Sequence, residues 1–230
     1  MTAMRKNKLI IILFSFGLFI LVYPHIAQIV NNQIQKSQVH QFKNETNLLT
    51  PENIMDKVEA ARNCNEAIYK NEGGLQDPFT EGYSRNDYQQ CKDAPDDGNH
   101  FASIEIPKLN LAIPILLGAS ENELSRGIGQ VEGSSLPIGG ESTHTVLAGH
   151  RGMGTKAMFR NLDALQPGDI FFIYTLEGKL EYHVYDVEVI LPHETENLRI
   201  NEGKDLASLI TCHPYRANSH RLVVHGERKN

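Results

Sequence analysis

The apolar and polar positions of this chain fall into successive regimes. From residue 9 to residue 30 no Asp, Glu, Lys or Arg interrupts a run rich in Ile, Leu and Phe. A helix of that length, rising ~1.5 Å per residue, spans the ~30 Å hydrocarbon core of a bilayer. Residues 31–49 turn polar, rich in Gln and Asn, and read as a juxtamembrane stalk or helix. Thr50-Pro51-Glu52 then supplies an N-cap, a first-turn proline and a first-turn acid. Ile54, Val58, Ala61, Cys64 and Ile68 follow at intervals of three or four, the spacing of one helical face, and Gly73-Gly74 is expected to end that helix. Residues 75–99 are polar and turn-rich with no sustained period, and a loop of that length is usually functional or disordered.

From Phe101 the period changes to two. Ser103-Ile104-Glu105-Ile106 alternates as a strand, Pro107 and Asn110 break it, and residues 112–117 form a second run whose Pro114 predicts a sheet edge. Residues 122–129 read as a short helix or turn, 143–148 as a third strand, and 156–165 as an amphipathic helix closed by Gln166-Pro167-Gly168-Asp169. Strands are expected again at 170–174, at 180–191 after the Glu177-Gly178 turn, and around Cys212 and Arg221, with 192–205 a polar connection. Many short strands with few helices predict a mainly β sandwich or barrel.

Composition adds boundaries. The 230 residues suffice for one core-burying domain with appendages. With 22 basic against 28 acidic residues, a net charge of -6, nothing points to nucleic acid. Arg5, Lys6 and Lys8 precede the apolar run, and such a basic flank stays cytoplasmic. A cleaved signal peptide is the alternative reading, but Tyr23-Pro24-His25 stands where a small-x-small site belongs. We therefore expect a cytoplasmic tip and uncleaved anchor over residues 1–30, with the membrane met through 9–30. An extracellular helical region over 31–74, a loop over 75–99 and a β domain over 100–230 follow.

The chemistry concentrates in residues 207–227. An apolar run enters Thr211-Cys212, a Pro-Tyr-Arg-Ala-Asn turn follows, and a β-rich run begins after Arg221. A cysteine at a strand end is exposed enough to react, and an arginine entering the next strand sets a fixed positive charge beside it. The plain alternative is a small buried hydrophobe. His150 lies in Gly149-His150-Arg151-Gly152, with backbone room around it. Adjacent strand residues face opposite ways, which separates His213 from Cys212 and His220 from Arg221, and His144 lies at the far end of the strand before His150. His213, His220 and His225 lack zinc spacing and read as a solvated cluster, so no metal is expected. Cys64 and Cys91 are either a disulfide or two independent thiols.

Leu-Ile-Thr-Cys followed nine residues later by Arg221, with the Gly-His-Arg-Gly histidine upstream, resembles the sortase family of surface-protein transpeptidases. Asp77-Pro78-Phe79 resembles the lid motif of its class C, pilin-polymerising branch. The likeness covers about residues 23–228. It implies an eight-stranded sortase barrel, with Cys212, His150 and Arg221 catalytic and no cofactor. Residues 75–99 would be a lid whose Asp77 pairs with Arg221 and whose Phe79 covers Cys212. The partners implied are pilins or other surface proteins with an LPxTG-like sorting signal, met by a monomeric ectodomain. Cys212 would attack between Thr and Gly, with Thr211 and Arg221 near the signal, and a pilin lysine would accept the acyl group. A housekeeping sortase serving cell-wall peptide, a plain cysteine peptidase and a silent β module are the competing readings. Class C members often carry a second, C-terminal anchor, which has no counterpart before Arg228-Lys229-Asn230.

Overall fold

The computed structural model describes residues 2–46, 48–71, 74–80, 83, 91 and 100–229. The expected helix stop at Gly73 and most of the expected loop over 75–99 lie outside the described residues. The apolar run and the polar stalk form one helix, α1 (Thr2–Thr46), which continues through Pro24. Its stretch from Asn7 is long and apolar enough to cross a membrane. Its C-terminal half lies against the barrel. Val39 and Phe42 are buried there, Gln28 and Asn31 donate to the Gly154 and Thr155 carbonyls, and Lys43 sits 3.3 Å from the Tyr174 ring centre.

Helix α2 (Pro51–Lys70) begins where its cap chemistry directs, with the Asn53 N–H donating to Thr50 Oγ1 at 3.3 Å. Val58, Ala61, Cys64 and Ile68 form its buried stripe. The Cys64 and Cys91 sulfurs are joined in a disulfide, their Cα atoms 4.8 Å apart, and the pair packs with Leu117, Leu136 and Ile138.

Eight strands then close a barrel: β1 (Ala102–Ile106), β2 (Leu111–Leu117), β3 (Ile128–Gln130), β4 (Thr143–Ala148), β5 (Ile170–Thr175), β6 (Gly178–Ile190), β7 (Asp205–His213) and β8 (His220–Arg228), in the spatial order β1-β2-β3-β4-β7-β8-β6-β5. Alternation sends Ile104, Ile113, Leu147, Phe171, Ala207, Leu209 and Val224 into the barrel. It sends Val146, Ile190, Ile210 and Val223 to an outer apolar face, which Leu198, Leu75 and Phe79 cover.

Three expectations are corrected. Residues 156–165 form no α-helix: Met158 takes a φ of 45°, the Phe159 N–H bonds the distant His150 carbonyl, and only Leu162–Ala164 makes a 3₁₀ turn. Met158, Phe159, Leu162 and Leu165 plug the barrel, so their helix-like spacing reflects core filling. Residues 122–129 divide between helix α3 (Glu121–Arg126) and strand β3. Pro114 lies within a closed barrel, not at an edge; its missing N–H falls just ahead of the parallel pairing that starts at Ile115↔Ile128.

Candidate active site

Strands β7 and β8 are antiparallel neighbours, and their register sets Cys212 directly opposite Arg221. Directly paired residues point to the same face, so thiol and guanidinium share the outer apolar face. The next pair, His213↔His220, points the other way. The turn between the strands holds Arg216 and Asn218 at positive φ. Arg221 Nη1 donates to two carbonyls at that end of the hairpin, those of Asn218 and His220, at 2.9 and 2.8 Å.

The rest of the Arg221 guanidinium is taken by Asp77. Nε donates to Oδ1 at 2.8 Å and Nη2 to Oδ2 at 2.6 Å, a fork-to-fork ion pair with both side chains under 5% exposed. Pro78 is buried beside it, and the Phe79 ring centre lies 5.3 Å from the Arg221 guanidinium carbon and 6.2 Å from the His150 ring centre. Asp77, Phe79, His150 and Arg221 thus meet around Cys212's end of β7, with the cysteine itself free and buried. Burial pushes the Cys212 thiol above its ordinary range; Arg221 pulls it down, Asp77 pushes it up again, and Arg151 pulls it down. A carboxylate brought by residue 77 therefore works against the thiolate.

His150 reaches this place on a turn that only small residues at its flanks allow. A Cβ at Gly149 would lie 2.6 Å from the Ile128 side chain and 2.8 Å from the Phe159 ring, and Gly152 has a φ of +90°. The His150 ring has Glu121 Oε2 of α3 at 3.5 Å, too long for a hydrogen bond, and Nε2 is otherwise unpartnered. Thr211, which the resemblance put near the substrate, is fully buried; its hydroxyl donates to the Gly149 carbonyl at 2.7 Å and ties β7 to the His150 turn.

Two features escaped the sequence reading. Arg151 is buried, bonded to His213 Nδ1 at 2.7 Å and paired with Asp163 at 3.0 Å; its neighbour His150 drew the attention, and nothing local marks an arginine that turns inward. His225 is not in a solvated cluster: it is 2% exposed and bonded to Ser208 and Glu188. It shares its face with Arg221 and Val223 by strict alternation, which was a usable signal. Among the described residues no group of three or more His, Cys, Asp or Glu side chains is placed to hold a metal ion.

A sortase-domain family profile matches residues 104–229. By sequence, sortase D of Bacillus subtilis strain 168 is 28% identical over 152 residues, covering 63% of this chain and 74% of that protein. Among solved structures, sortase C1 of GBS pilus island 1 aligns with a TM-score of 0.74 at 37% identity, covering 85% of this chain and 92% of that one. Sortase C-1 of Streptococcus pneumoniae aligns with a TM-score of 0.77 at 34% identity, covering 84% and 98%.

Proposed function

The chain belongs to the sortase family, and we propose that it is a class C member that joins pilin subunits through an LPxTG-like sorting signal. The Cys212 thiolate adds to the carbonyl carbon between Thr and Gly. Arg221, released from Asp77, takes the oxyanion in the carboxylate's place. His150 protonates the departing glycine nitrogen as the C–N bond breaks, leaving a thioester on Cys212. The ε-amine of a pilin lysine then attacks, His150 accepts its proton, the C–S bond breaks, and an isopeptide remains. Thr211 acts through Gly149, holding the His150 turn, rather than on the signal itself.

The observation that supports this reading best is the Asp77–Arg221 fork. A negatively charged group of the chain itself already lies on the guanidinium beside the thiol, where an oxyanion needs to be. The apolar part of α1 anchors the enzyme, with the basic residues 5–8 cytoplasmic and the barrel outside. Mixing the protein with pilins that carry LPxTG-like signals is expected to yield denaturant-resistant ladders, absent with Cys212→Ala. Hydrolysis that an added lysine-bearing acceptor does not divert would overturn the transpeptidase reading in favour of a peptidase.

A further inference from the structure

A chain of side chains crosses four neighbouring strands on the outer face, four residues before Cys212 along β7. His144 Nε2 of β4 lies 2.7 Å from Ser208 Oγ of β7, Ser208 Oγ lies 2.8 Å from His225 Nδ1 of β8, and His225 Nε2 lies 2.9 Å from Glu188 Oε1 of β6. His144 and Ser208 are fully buried and His225 is 2% exposed. Both ends of the chain grip the same turn of the β6–β7 connection. His144 Nδ1 lies 2.8 Å from the Arg199 carbonyl, and Asn197 Nδ2 donates to both Glu188 oxygens at 3.0 and 3.1 Å. That 3₁₀ turn carries Leu198, which lines a cleft with Val146, Ile190 and Ile210; Asp77 and Pro78 line it from the other side.

The hydrogens in the chain can be counted. A carbonyl only accepts, so His144 Nδ1 carries a hydrogen toward Arg199. With His144 neutral, its Nε2 accepts from the Ser208 hydroxyl, Ser208 accepts from His225 Nδ1–H, and the last link needs one more hydrogen between His225 Nε2 and Glu188. Turning the hydroxyl around only moves that hydrogen onto His144. Every arrangement that makes all the bonds therefore holds one proton beyond two neutral imidazoles and a carboxylate. Burial pushes His144 down to about 4, which leaves the additional proton at the His225–Glu188 end. Among the described residues the titratable groups set against His225 are Glu188, Asp186 directly opposite it in the β6–β8 ladder, the His144 ring at 6.5 Å and the Tyr185 ring stacked at 5.7 Å.

We propose that this proton-carrying chain positions the substrate cleft: it clamps the turn at residues 196–199 so that Leu198 forms the cleft wall, and it frees the turn when the shared proton leaves. The residues touch neither Cys212 nor the reacting bond; they act through the loop. The proposal rests on reading the cleft as the sorting-signal site.

The test uses the full chain in detergent, with an LPxTG peptide as substrate, from neutral to alkaline pH. Wild type is expected to show KM rising as the pH rises, with kcat following its own profile. Ser208→Ala breaks the chain and should raise KM on the order of tenfold at neutral pH while kcat stays within about twofold. Glu188→Gln is the informative variant. Its amide nitrogen donates to a neutral His225 and its oxygen still accepts from Asn197, so the chain closes without a titratable proton. KM should stay near wild type at neutral pH and lose its alkaline rise. Deuterium exchange over residues 192–204, corrected for intrinsic rates, should quicken in Ser208→Ala at every pH, in wild type only in alkali, and in Glu188→Gln not at all. Equal exchange in wild type and Ser208→Ala would overturn the clamp, and equal pH dependence in wild type and Glu188→Gln would overturn the proton. If Ser208→Ala does not fold, the comparison with Glu188→Gln decides alone. A wild type that cleaves no such peptide removes the sorting-signal reading, and exchange still decides the clamp.

Discussion

Two segments meet at the Arg221 guanidinium, and they are held in opposite ways. Arg221 and Cys212 face each other through a ladder that runs unbroken from Leu206↔Glu227 to His213↔His220, inside a closed barrel. Asp77 reaches the same guanidinium from a segment whose described residues pair with no strand; the ion pair, the Phe79 ring and the contacts of Leu75 hold it. The geometry of the site therefore belongs to the barrel, and the proposed control of access to it would belong to residues 75–80. A ladder moves only by global unfolding, whereas a segment pinned by one ion pair and a few apolar contacts opens locally at far lower cost.

The largest expected effect tests the barrel side. Arg221→Ala should lower transfer by ~10² to 10³, the usual loss for a principal oxyanion donor, and Cys212→Ala should remove it, with circular dichroism unchanged in both. An Arg221→Ala enzyme within a few-fold of wild type would dissolve the pairing on which the comparison rests.

Next in size is the tether. Cys64 and Cys91 are 27 residues apart in sequence and bracket Asp77, and in the chain-entropy model such a closed loop contributes ~3 kcal/mol. The double variant Cys64→Ser with Cys91→Ser should lower the unfolding free energy read from denaturant titration by that amount and leave Cys212 present as a reactive thiol. Recovery of both cysteines as alkylatable thiols from oxidised, folded wild type would remove the tether.

The access side responds more gently. Asp77→Ala removes a buried charge-assisted pair, so the open fraction should rise about tenfold and Cys212 should react faster with a small thiol reagent to the same extent. The pH sign follows from the surroundings of the thiol. Burial and Asp77 both raise Cys212, so their loss makes the thiol more acidic and shifts the reactivity curve to lower pH. Phe79→Ala should move it the same way by less. If both variants match wild type, residues 75–80 do not gate the site.

The smallest effect lies on the surface. Arg62 of α2 bonds both Glu177 oxygens at 2.8 and 2.9 Å, but both side chains are largely exposed. Arg62→Ala should cost under ~1 kcal/mol and leave thiol reactivity unchanged. A shift in reactivity would show that α2 controls access as well as stability.

The ladder was also the more legible half. Apolar and β-branched runs announced β4 to β8, and strand, cysteine, turn, arginine, strand described the hairpin before its register was known. Ile128-Gly129-Gln130 was too short to alternate and hid in a helix-like neighbourhood. The plug of Met158, Phe159, Leu162 and Leu165 imitated an amphipathic helix because a barrel mouth and a helix face both call for apolar residues every three or four positions. His225 was misplaced for a different reason. Alternation put it on the Arg221 face, but the partners that bury it, Ser208 of β7 with Glu188 and the Tyr185 ring of β6, come from other strands, and no local pattern in β8 names them. The Asp77–Arg221 contact spans 144 residues of sequence; it was reached through family likeness and not through any periodicity.

The helix α1 has a mechanical consequence. Beyond residue 30 it is no flexible leash: Asn31 bonds the Thr155 carbonyl, Gln35 meets Met158, Lys36 bonds Asn110, and Phe42 stacks on His100. The loop after His150 is thereby bolted to the helix only a few residues above the proposed bilayer surface. At ~1.5 Å per residue, residues 30–46 form a bracket about 24 Å tall. With α1 in a bilayer, a bracket of fixed height would set the altitude and tilt of the catalytic mouth, and a protein on the same membrane would be engaged only if its own stem presented the scissile bond at that altitude. Selection among neighbours would then depend on stem length as well as on the bound motif.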